Sequence, residues 1–346
     1  MKQKPVPALG RVGLLCAFVA FCAGGLFVRH ALTQTGSNAQ EGAAQSASAP
    51  AAAVPSAPGA NPFRVAFDGA NIWVANYDHN NVTKLRASDG TVQGTYAVGT
   101  SPVGVVFDGT NIWVANSMSN NVTKLRASDA AVEGTYEVSF GPYGMAFDGT
   151  NVWVTNNQSN TVARLTSDGE IEATFATGLS PKGVAFDGAN LWVTNQSSNS
   201  VTKIRASDGA RLGTFAVGTY PYGVAFDGAN IWVTNQSSSN VTKLRASDGA
   251  RLGTFPVGKD PFGVASDGTN IWVTSFSNNN VTKLRASDGA RLGTYAVGRN
   301  PFGVAYDGAN IWVANHGSNN VTKLRASDGA PQGTFAVTSG SPAAKH

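Results

Sequence analysis

The chain has 346 residues, of which only 13% are charged, with 40 glycines and a formal net charge of +4. This composition favours β-structure with many turns, and the even spread of Lys and Arg gives no reason to expect a nucleic-acid partner. Both cysteines, Cys16 and Cys22, lie in the N-terminal apolar run, which excludes disulfides and cysteine chemistry from the rest of the chain.

Residues 1–30 are predicted to be a signal peptide or an N-terminal membrane anchor. Lys2, Lys4 and Arg11 form a positive segment before an apolar run at residues 12–28. That run is long for a signal-peptide core and short for a membrane span, and no A-x-A cleavage motif closely follows it. We favour an uncleaved anchor in the inner membrane, and either alternative predicts an exported protein in the periplasm or at the cell surface.

Residues 31–60 are rich in Ala, Ser and Pro and contain no aromatic residue, so we expect a flexible tether. Residues 61–338 contain repeats, and residues 339–346 are predicted to be a disordered tail. Every tryptophan occurs once per repeat, with successive spacings of 40, 40, 39, 40, 40 and 40 residues. The tryptophans are Trp73, Trp113, Trp153, Trp192, Trp232, Trp272 and Trp312. A period near forty with strand-like segments is typical of a β-propeller.

Each repeat divides into four strand candidates, which in the fifth copy are residues 223–226, 230–235, 240–245 and 253–257. Asp-Gly turns separate several of them, and four short antiparallel strands make one propeller blade. We therefore predict an all-β, monomeric, seven-bladed β-propeller in which each Trp wedges against the next blade. The first repeat has Arg64 where the other six have Gly, a departure expected of a terminal repeat. The ring should close by face packing, without a strand shared across the seam.

The segments WVTN (as at residues 232–235) and WVAN (as at residues 73–76) resemble the YVTN signature of surface-layer propeller repeats. The P-x-G-V-A-F-D-G-x-N-I-W-V pattern resembles NHL repeats and the streptogramin B (virginiamycin B) lyase propeller. The lyase resemblance implies metal-assisted cleavage of a cyclic depsipeptide by His and Glu on one propeller face. No lyase residue can be transferred to a position here. The repeats hold only His79 and His316, and their glutamates all lie in the third-turn and fourth-strand region of blades 2 and 3.

Differences between the repeats concentrate in the links between blades and in the second turn of each blade, which should share one face. Variable loops on a rigid scaffold are the usual place for binding. The candidate ligand-binding residues on this face are Phe63, Tyr77, Tyr143, Lys182, Tyr220, Tyr222, Phe262, Phe276 and Phe302. Aromatic rings beside Asn and Gln suit a peptide or a carbohydrate, and the alternative is that they plug the channel mouth. Strand-three pairs such as Lys243 and Arg245 predict a solvated basic rim.

The favoured function is thus a non-catalytic binding or scaffold module for a peptide, protein or carbohydrate, without a cofactor. One alternative is a lyase-like or lactonase-like enzyme with a divalent metal at the channel mouth, and another is a structural surface-layer protein. Asp78, His79 and His316 lie in blades that become neighbours when the ring closes, so they are the candidate metal ligands. No catalytic residue is predicted.

Overall fold

The structure is a computed structural model that describes residues 60–337, which form seven four-stranded antiparallel sheets. The first strand of each sheet contacts the first strands of both neighbouring sheets, so these strands line a central channel. The predicted seven-bladed β-propeller is confirmed. The predicted signal peptide or anchor, all but the last residue of the tether and the C-terminal tail lie outside the described residues.

Every blade consists of four consecutive strands, ordered from the channel outward. Blade 1 has β1 (Pro62–Phe67), β2 (Asn71–Asn76), β3 (Asn81–Arg86) and β4 (Val92–Ala97); blade 2 has β5 (Pro102–Phe107), β6 (Asn111–Asn116), β7 (Asn121–Arg126) and β8 (Val132–Glu137). Blade 3 has β9 (Pro142–Phe147), β10 (Val152–Asn156), β11 (Thr161–Leu165) and β12 (Ile171–Ala176); blade 4 has β13 (Pro181–Phe186), β14 (Asn190–Asn195), β15 (Ser200–Arg205) and β16 (Arg211–Ala216). Blade 5 has β17 (Pro221–Phe226), β18 (Asn230–Asn235), β19 (Asn240–Arg245) and β20 (Arg251–Pro256); blade 6 has β21 (Pro261–Ser266), β22 (Asn270–Ser275), β23 (Asn280–Arg285) and β24 (Arg291–Ala296). Blade 7 has β25 (Pro301–Tyr306), β26 (Asn310–Asn315), β27 (Asn320–Arg325) and β28 (Pro331–Ala336). Short 3₁₀ helices form the second turns of blades 1, 6 and 7, at Tyr77–His79, Phe276–Asn278 and His316–Ser318.

The Asp-Gly turn between the first two strands is locked to the tryptophan that follows it. In blade 4, Asp187 accepts hydrogen bonds from the backbone N–H of Ala189 (3.0 Å) and Asn190 (2.7 Å) and from Trp192 Nε1 (2.7 Å). Burial raises the pKa of Asp187, but these hydrogen bonds outweigh it and leave the pKa lowered. The Trp192 ring is fully buried and packs against Ile231 and other side chains of blade 5, as predicted.

The lysines of the third strands connect neighbouring blades. Lys243 is only 5% exposed, and its Nζ donates hydrogen bonds to the carbonyl oxygens of Ala286 (2.6 Å) and Ser287 (3.0 Å) in the next blade. The predicted solvated basic rim is therefore wrong for these lysines, because their ammonium groups satisfy backbone carbonyls of the third turn next door. It is right for Arg245, which is exposed and pairs with Asp248 at 2.8 Å.

The innermost strands approach one another closely because most blades have Gly at their third position. A Cβ atom added to Gly223 would lie 2.3 Å from the carbonyl oxygen of Phe262 in the next blade. That carbonyl accepts a hydrogen bond from Thr234 Oγ1 at 2.9 Å. Equivalent threonine bridges join blades 3 to 4, 4 to 5 and 6 to 7, whereas blades 7, 1 and 2 have an alanine at the threonine position.

Blades 1 and 7 meet without a strand shared between them in the described chain. Strand β1 contacts both β25 and β26, and the backbone N–H of Asn61 donates to Asn319 Oδ1 at 3.1 Å. Within residues 60–337 the ring thus closes by face packing, and the predicted absence of a strand contributed by the tether concerns residues outside the described ones.

Backbone hydrogen bonds assign the loops to two faces. The N–H that begins a second turn donates to the link before the same blade, as from Gln236 to the Tyr220 carbonyl at 3.0 Å. The third turn instead bonds to the first turn, as from Ala246 to the Ala229 carbonyl at 3.1 Å. The links and second turns therefore share one face, here called the link face, where the sequence places most of the variation.

Candidate functional site

The second residue of each innermost strand lies at the mouth of the channel on the link face. Four of the predicted ligand-binding residues at this position, Phe63, Tyr222, Phe262 and Phe302, are buried. Their rings pack on one another, with centroids 3.9 Å apart for Phe63 and Phe302 and 4.4 Å apart for Phe262 and Phe302. Tyr222 packs edge-on against Phe262 at 4.8 Å.

Three further predicted residues, Tyr77, Tyr143 and Phe276, surround this group and are partly buried. Tyr77 stacks on Phe63 at 5.7 Å, and Phe276 meets Phe262 edge-on at 5.2 Å. The hydroxyl groups of Tyr143 and Tyr222 share a hydrogen bond. These seven rings, here called the mouth cluster, fill the channel mouth as the plugging alternative describes. Their role in ligand binding stays a prediction.

Lys182 is the one charged residue at the second position of an innermost strand. Its Nζ lies 3.9 Å from the centroid of the Tyr143 ring, a cation–π contact. Burial, together with repulsion from the Arg64 guanidinium, lowers the pKa of Lys182 to about 8 from its ordinary 10.5. Burial also raises the pKa of Tyr143, so its hydroxyl is protonated at neutral pH.

Tyr220 is the one predicted residue that stays apart from the mouth cluster. It lies in the link before blade 5, where its backbone is left-handed (φ 55°), and it is 47% exposed. Three other exposed apolar residues occupy neighbouring loops of the same face: Met118 (65%) in blade 2, Phe140 (65%) before blade 3 and Leu179 (55%) before blade 4. Met118, Phe140, Leu179 and Tyr220 are here called the apolar arc.

The apolar arc was not predicted from the sequence, except for Tyr220. A difference between the links could have revealed it. The links before blades 3 to 5 contain an apolar residue, whereas those before blades 6 and 7 carry the polar pairs Lys259-Asp260 and Arg299-Asn300. Singly exposed apolar residues are ordinary, but these four lie on one face, in the loops of four consecutive blades.

The two histidines lie near the seam, and His316 is part of the aromatic surroundings of the mouth. Its ring centroid is 6.1 Å from that of Phe63 and 6.3 Å from that of Phe302. Burial lowers the pKa of His316, although Asp78 and hydrogen bonds with the backbone of Asn61 and Pro62 oppose the shift. Asp78, which accepts a hydrogen bond from the Asn61 side chain, is therefore within electrostatic range of His316 across the seam.

This pairing does not amount to a metal site of the usual size. Among residues 60–337, no group of three or more His, Cys, Asp or Glu side chains is arranged so that it could hold a metal ion. Two of the glutamates are committed to ion pairs: Glu133 with Lys124 at 3.0 Å, and Glu172 with Arg164 at 2.9 Å. The divalent metal suggested for Asp78, His79 and His316 stays a prediction.

Comparison with known proteins matches residues 54–324 to the virginiamycin B lyase family. Among solved structures, hydrazine synthase from Kuenenia stuttgartiensis is similar with a TM-score of 0.71 at 20% identity, covering 80% of this chain and 99% of that one. A streptogramin B lyase structure has a TM-score of 0.66 at 19% identity and covers 75% of this chain and 92% of that one.

A catalytically inactive histidine-to-alanine variant of virginiamycin B lyase from Staphylococcus aureus, solved with quinupristin, has a TM-score of 0.64 at 20% identity. It covers 73% of this chain and 91% of that one. No curated protein is significantly similar in sequence. At these identities the solved structures establish a common propeller fold, while the match over most of the chain establishes the family.

Proposed function

Because the chain belongs to the virginiamycin B lyase family, we propose that it keeps the family's propeller and uses the link face to bind a peptide, without catalysis. The observation that carries this proposal is the apolar arc on blades 2 to 5. Loops positioned by a rigid scaffold commonly carry binding residues, and exposed apolar side chains in consecutive blades give an extended ligand several contacts.

The chemistry of the arc favours a peptide over a carbohydrate. Met118 and Leu179 are aliphatic and flexible, which suits apolar side chains of a peptide, whereas sugar recognition relies on aromatic faces and amide groups. Lys182, in the innermost strand that follows the Leu179 link, adds a positive charge on the same face. The ligand that fits this surface is therefore an extended peptide with apolar side chains and an acidic group.

A second candidate function is a lyase reaction like that of the family's namesake, and one observation favours it. The Nδ1 atom of His316 is buried and makes no hydrogen bond within residues 60–337, and the lowered pKa of His316 keeps the imidazole neutral. A neutral imidazole at a channel mouth can accept a proton. It ranks second because no group of three or more His, Cys, Asp or Glu side chains that could hold a metal ion includes His316 within residues 60–337.

Export, with residues 12–28 as signal peptide or anchor, is the cellular setting that we propose for this binding function. No helix within residues 60–337 is long and apolar enough to cross a membrane. Separating membranes from soluble fractions, followed by N-terminal sequencing, tests the proposal, since an anchored protein would sediment with its N-terminal segment intact.

The binding proposal is tested with peptide and glycan arrays, using the wild type and the variant Leu179→Ala with Tyr220→Ala. We expect peptide spots to be bound by the wild type and lost in the double variant. Leu252→Ala is the matched control, because Leu252 is 42% exposed on the outer strand β20, away from the link face. Peptide binding that survives in the double variant would show that the arc is the wrong surface, and glycan binding alone would replace the peptide by a sugar.

The lyase candidate is tested by incubating the protein with quinupristin, with and without Mg²⁺, and following ring opening by mass spectrometry. Linear product that disappears in His316→Ala would establish the reaction. An intact ring under both conditions would remove this candidate and leave the binding proposal unaffected.

A further inference from the structure

Arg64 breaks the symmetry of the innermost strands at a position where the other six blades have Gly. In those blades a Cβ atom would lie between 2.2 and 2.6 Å from a carbonyl oxygen of the next blade, which explains the glycine. Blade 1 instead places a guanidinium group inside the ring. The bulge between Pro62 and Val65, where the pairing of β1 with β2 shifts register, contains Arg64.

The Arg64 side chain lines a cavity of about 70 Å³ in the central channel. Tyr222, Phe262 and Phe302 of the mouth cluster also line this cavity, together with Gly and Val residues of the innermost strands of blades 5 to 7. Arg64 therefore shares this cavity with residues that are more than 150 positions away in the sequence, including those of the adjacent blade 7. A space of this size holds several water molecules or a small ion.

Arg64 has no counter-charge in the described chain. Its buried Nε atom makes no hydrogen bond within residues 60–337, and the group that opposes the effect of burial on its pKa is the Tyr143 phenol, not a carboxylate. The arginines of the third strands behave differently, as Arg86 pairs with Asp89 at 2.9 Å. Arginine stays protonated in proteins, so the partly buried Arg64 is a cation with no carboxylate paired to it among residues 60–337.

A second cation lies in electrostatic range. The charge of Arg64 contributes to the lowered pKa of Lys182, and it acts on the pKa of Tyr143, over whose ring Lys182 lies. Two positive side chains thus share the channel mouth without an acidic partner among the described residues. Buried charges in proteins are normally paired, and a bound anion would supply the pairing.

We propose that the cavity at Arg64 is a binding site for a carboxylate group. The planar fork of the guanidinium matches the two oxygens of a carboxylate, and Lys182 provides a second positive charge at the same end of the channel. The carboxylate is either that of a small free anion or the acidic group of a longer ligand held at the mouth. The site is distinct from the apolar arc and does not require it.

The full chain is titrated with ¹³C-labelled acetate at constant ionic strength, and the line width of the acetate signal is followed by NMR. The wild type should broaden the acetate line in a saturable way. Arg64→Gly should raise the apparent Kd for acetate at least tenfold. Arg64→Gly restores the residue that six blades already use, so it should fold. Arg86→Gln is the matched control, since Arg86 is a surface arginine of the same blade and should leave acetate binding unchanged.

Two further measurements sharpen the result. The Tm of Arg64→Gly should exceed that of the wild type in anion-poor buffer, and acetate should raise the Tm of the wild type alone. A short peptide with a free C-terminal acid, compared with its amide, separates the two sources: only the acid form competes with acetate if the site takes the end of a longer ligand. If neither competes, the site takes a free anion.

The proposal is overturned if the wild type does not broaden the acetate line, or if Arg64→Gly broadens it equally. The double variant Leu179→Ala with Tyr220→Ala should bind acetate like the wild type. Failure of the peptide-binding proposal is therefore distinguishable from failure of the carboxylate site.

Discussion

The Nζ atom of Lys323, in the last blade, donates a hydrogen bond to the carbonyl oxygen of Ala87, in the first blade, at 2.7 Å. The same ammonium reaches the Ser88 carbonyl at 3.1 Å and lies 5.0 Å from the centroid of the Trp312 ring. The seam is thus joined by the contact that joins the neighbouring blades within the chain. Other neighbouring blades are also connected by the peptide chain, whereas no chain segment within residues 60–337 runs from blade 7 to blade 1.

Replacing Lys323 by Met should lower the free energy of unfolding by about 1–3 kcal/mol, because the buried Ala87 carbonyl and the partly buried Ser88 carbonyl lose their donor. Urea unfolding followed by Trp fluorescence measures the loss. Lys124→Met is the control and should cost less, because Lys124 reaches a single carbonyl, that of Ser167 at 3.0 Å, and its partly exposed ion pair with Glu133 is shared with Arg126. Equal losses in the two variants would contradict the role assigned to the seam contact.

The turn aspartates should make the protein sensitive to acid. Hydrogen bonds outweigh burial and lower the pKa of Asp187 below its ordinary 3.8, so the folded state binds the proton more weakly than the unfolded chain. The resulting stability is present above the ordinary pKa and is lost as the pH falls through the lowered folded-state pKa. Asp187→Asn should cost about 1–3 kcal/mol at pH 7 and much less at pH 2.5, as measured by urea unfolding at both pH values. A cost that does not change with pH would show that the charge is irrelevant.

The Lys182 ammonium predicts a second rise in stability with pH, in the alkaline range. Its folded-state pKa of about 8 lies below its ordinary 10.5, so between these values the unfolded chain binds more protons. Stability should therefore rise with pH in this window, by on the order of 2 kcal/mol for a partly buried group. The slope of unfolding free energy between pH 7.5 and 9.5 should be smaller in Lys182→Met and unchanged in Lys259→Met, which removes an exposed link lysine. Identical slopes in all three proteins would refute the shift.

The mouth cluster should contribute strongly to stability. Phe302 is 8% exposed and packs on both Phe63 and Phe262, so Phe302→Ala should cost about 3–5 kcal/mol. Phe140→Ala removes the same side chain from the apolar arc, where it is 65% exposed, and should change stability by less than about 0.5 kcal/mol. Thermal and urea unfolding of both variants test this contrast, which fails if the two losses are alike.

The fold could be predicted from the sequence because each blade repeats its own construction. The tryptophan spacing and the Asp-Gly turns identify the hairpins, and the strand predicted at residues 230–235 agrees with β18 (Asn230–Asn235). The predicted first strand began two residues late, at residue 223, because Pro221 already pairs with Asn235 across the bulge. Face assignment followed from topology alone.

The candidate site could be predicted only in part. Most of the residues after the Pro of each innermost strand are predicted as ligand-binding residues, with plugging of the channel mouth as the alternative, but their burial depends on ring packing between residues as distant in sequence as Phe63 and Phe302. Lys243 looked like a surface cation because its partners, the carbonyls of Ala286 and Ser287, belong to the backbone and have no signature in the sequence. The sequence alone presents Arg64 as the irregularity of a terminal repeat, because most of the residues around it belong to blades 5 to 7, which are distant in the sequence.

The threonine bridges are unevenly distributed around the ring, so we expect its stiffness to differ from one sector to another. Thr155, Thr194, Thr234 and Thr274 each clasp the inner strand of the following blade, forming a stiff sector over blades 3 to 7. Ala314, Ala75 and Ala115 leave the steps from blade 7 through blade 1 to blade 3 without that clasp. Fluctuations of the ring should be largest in the sector that lacks these bridges, which contains both the seam and Arg64. The guanidinium thus lies in the part of the channel wall that an entering ion could displace most easily.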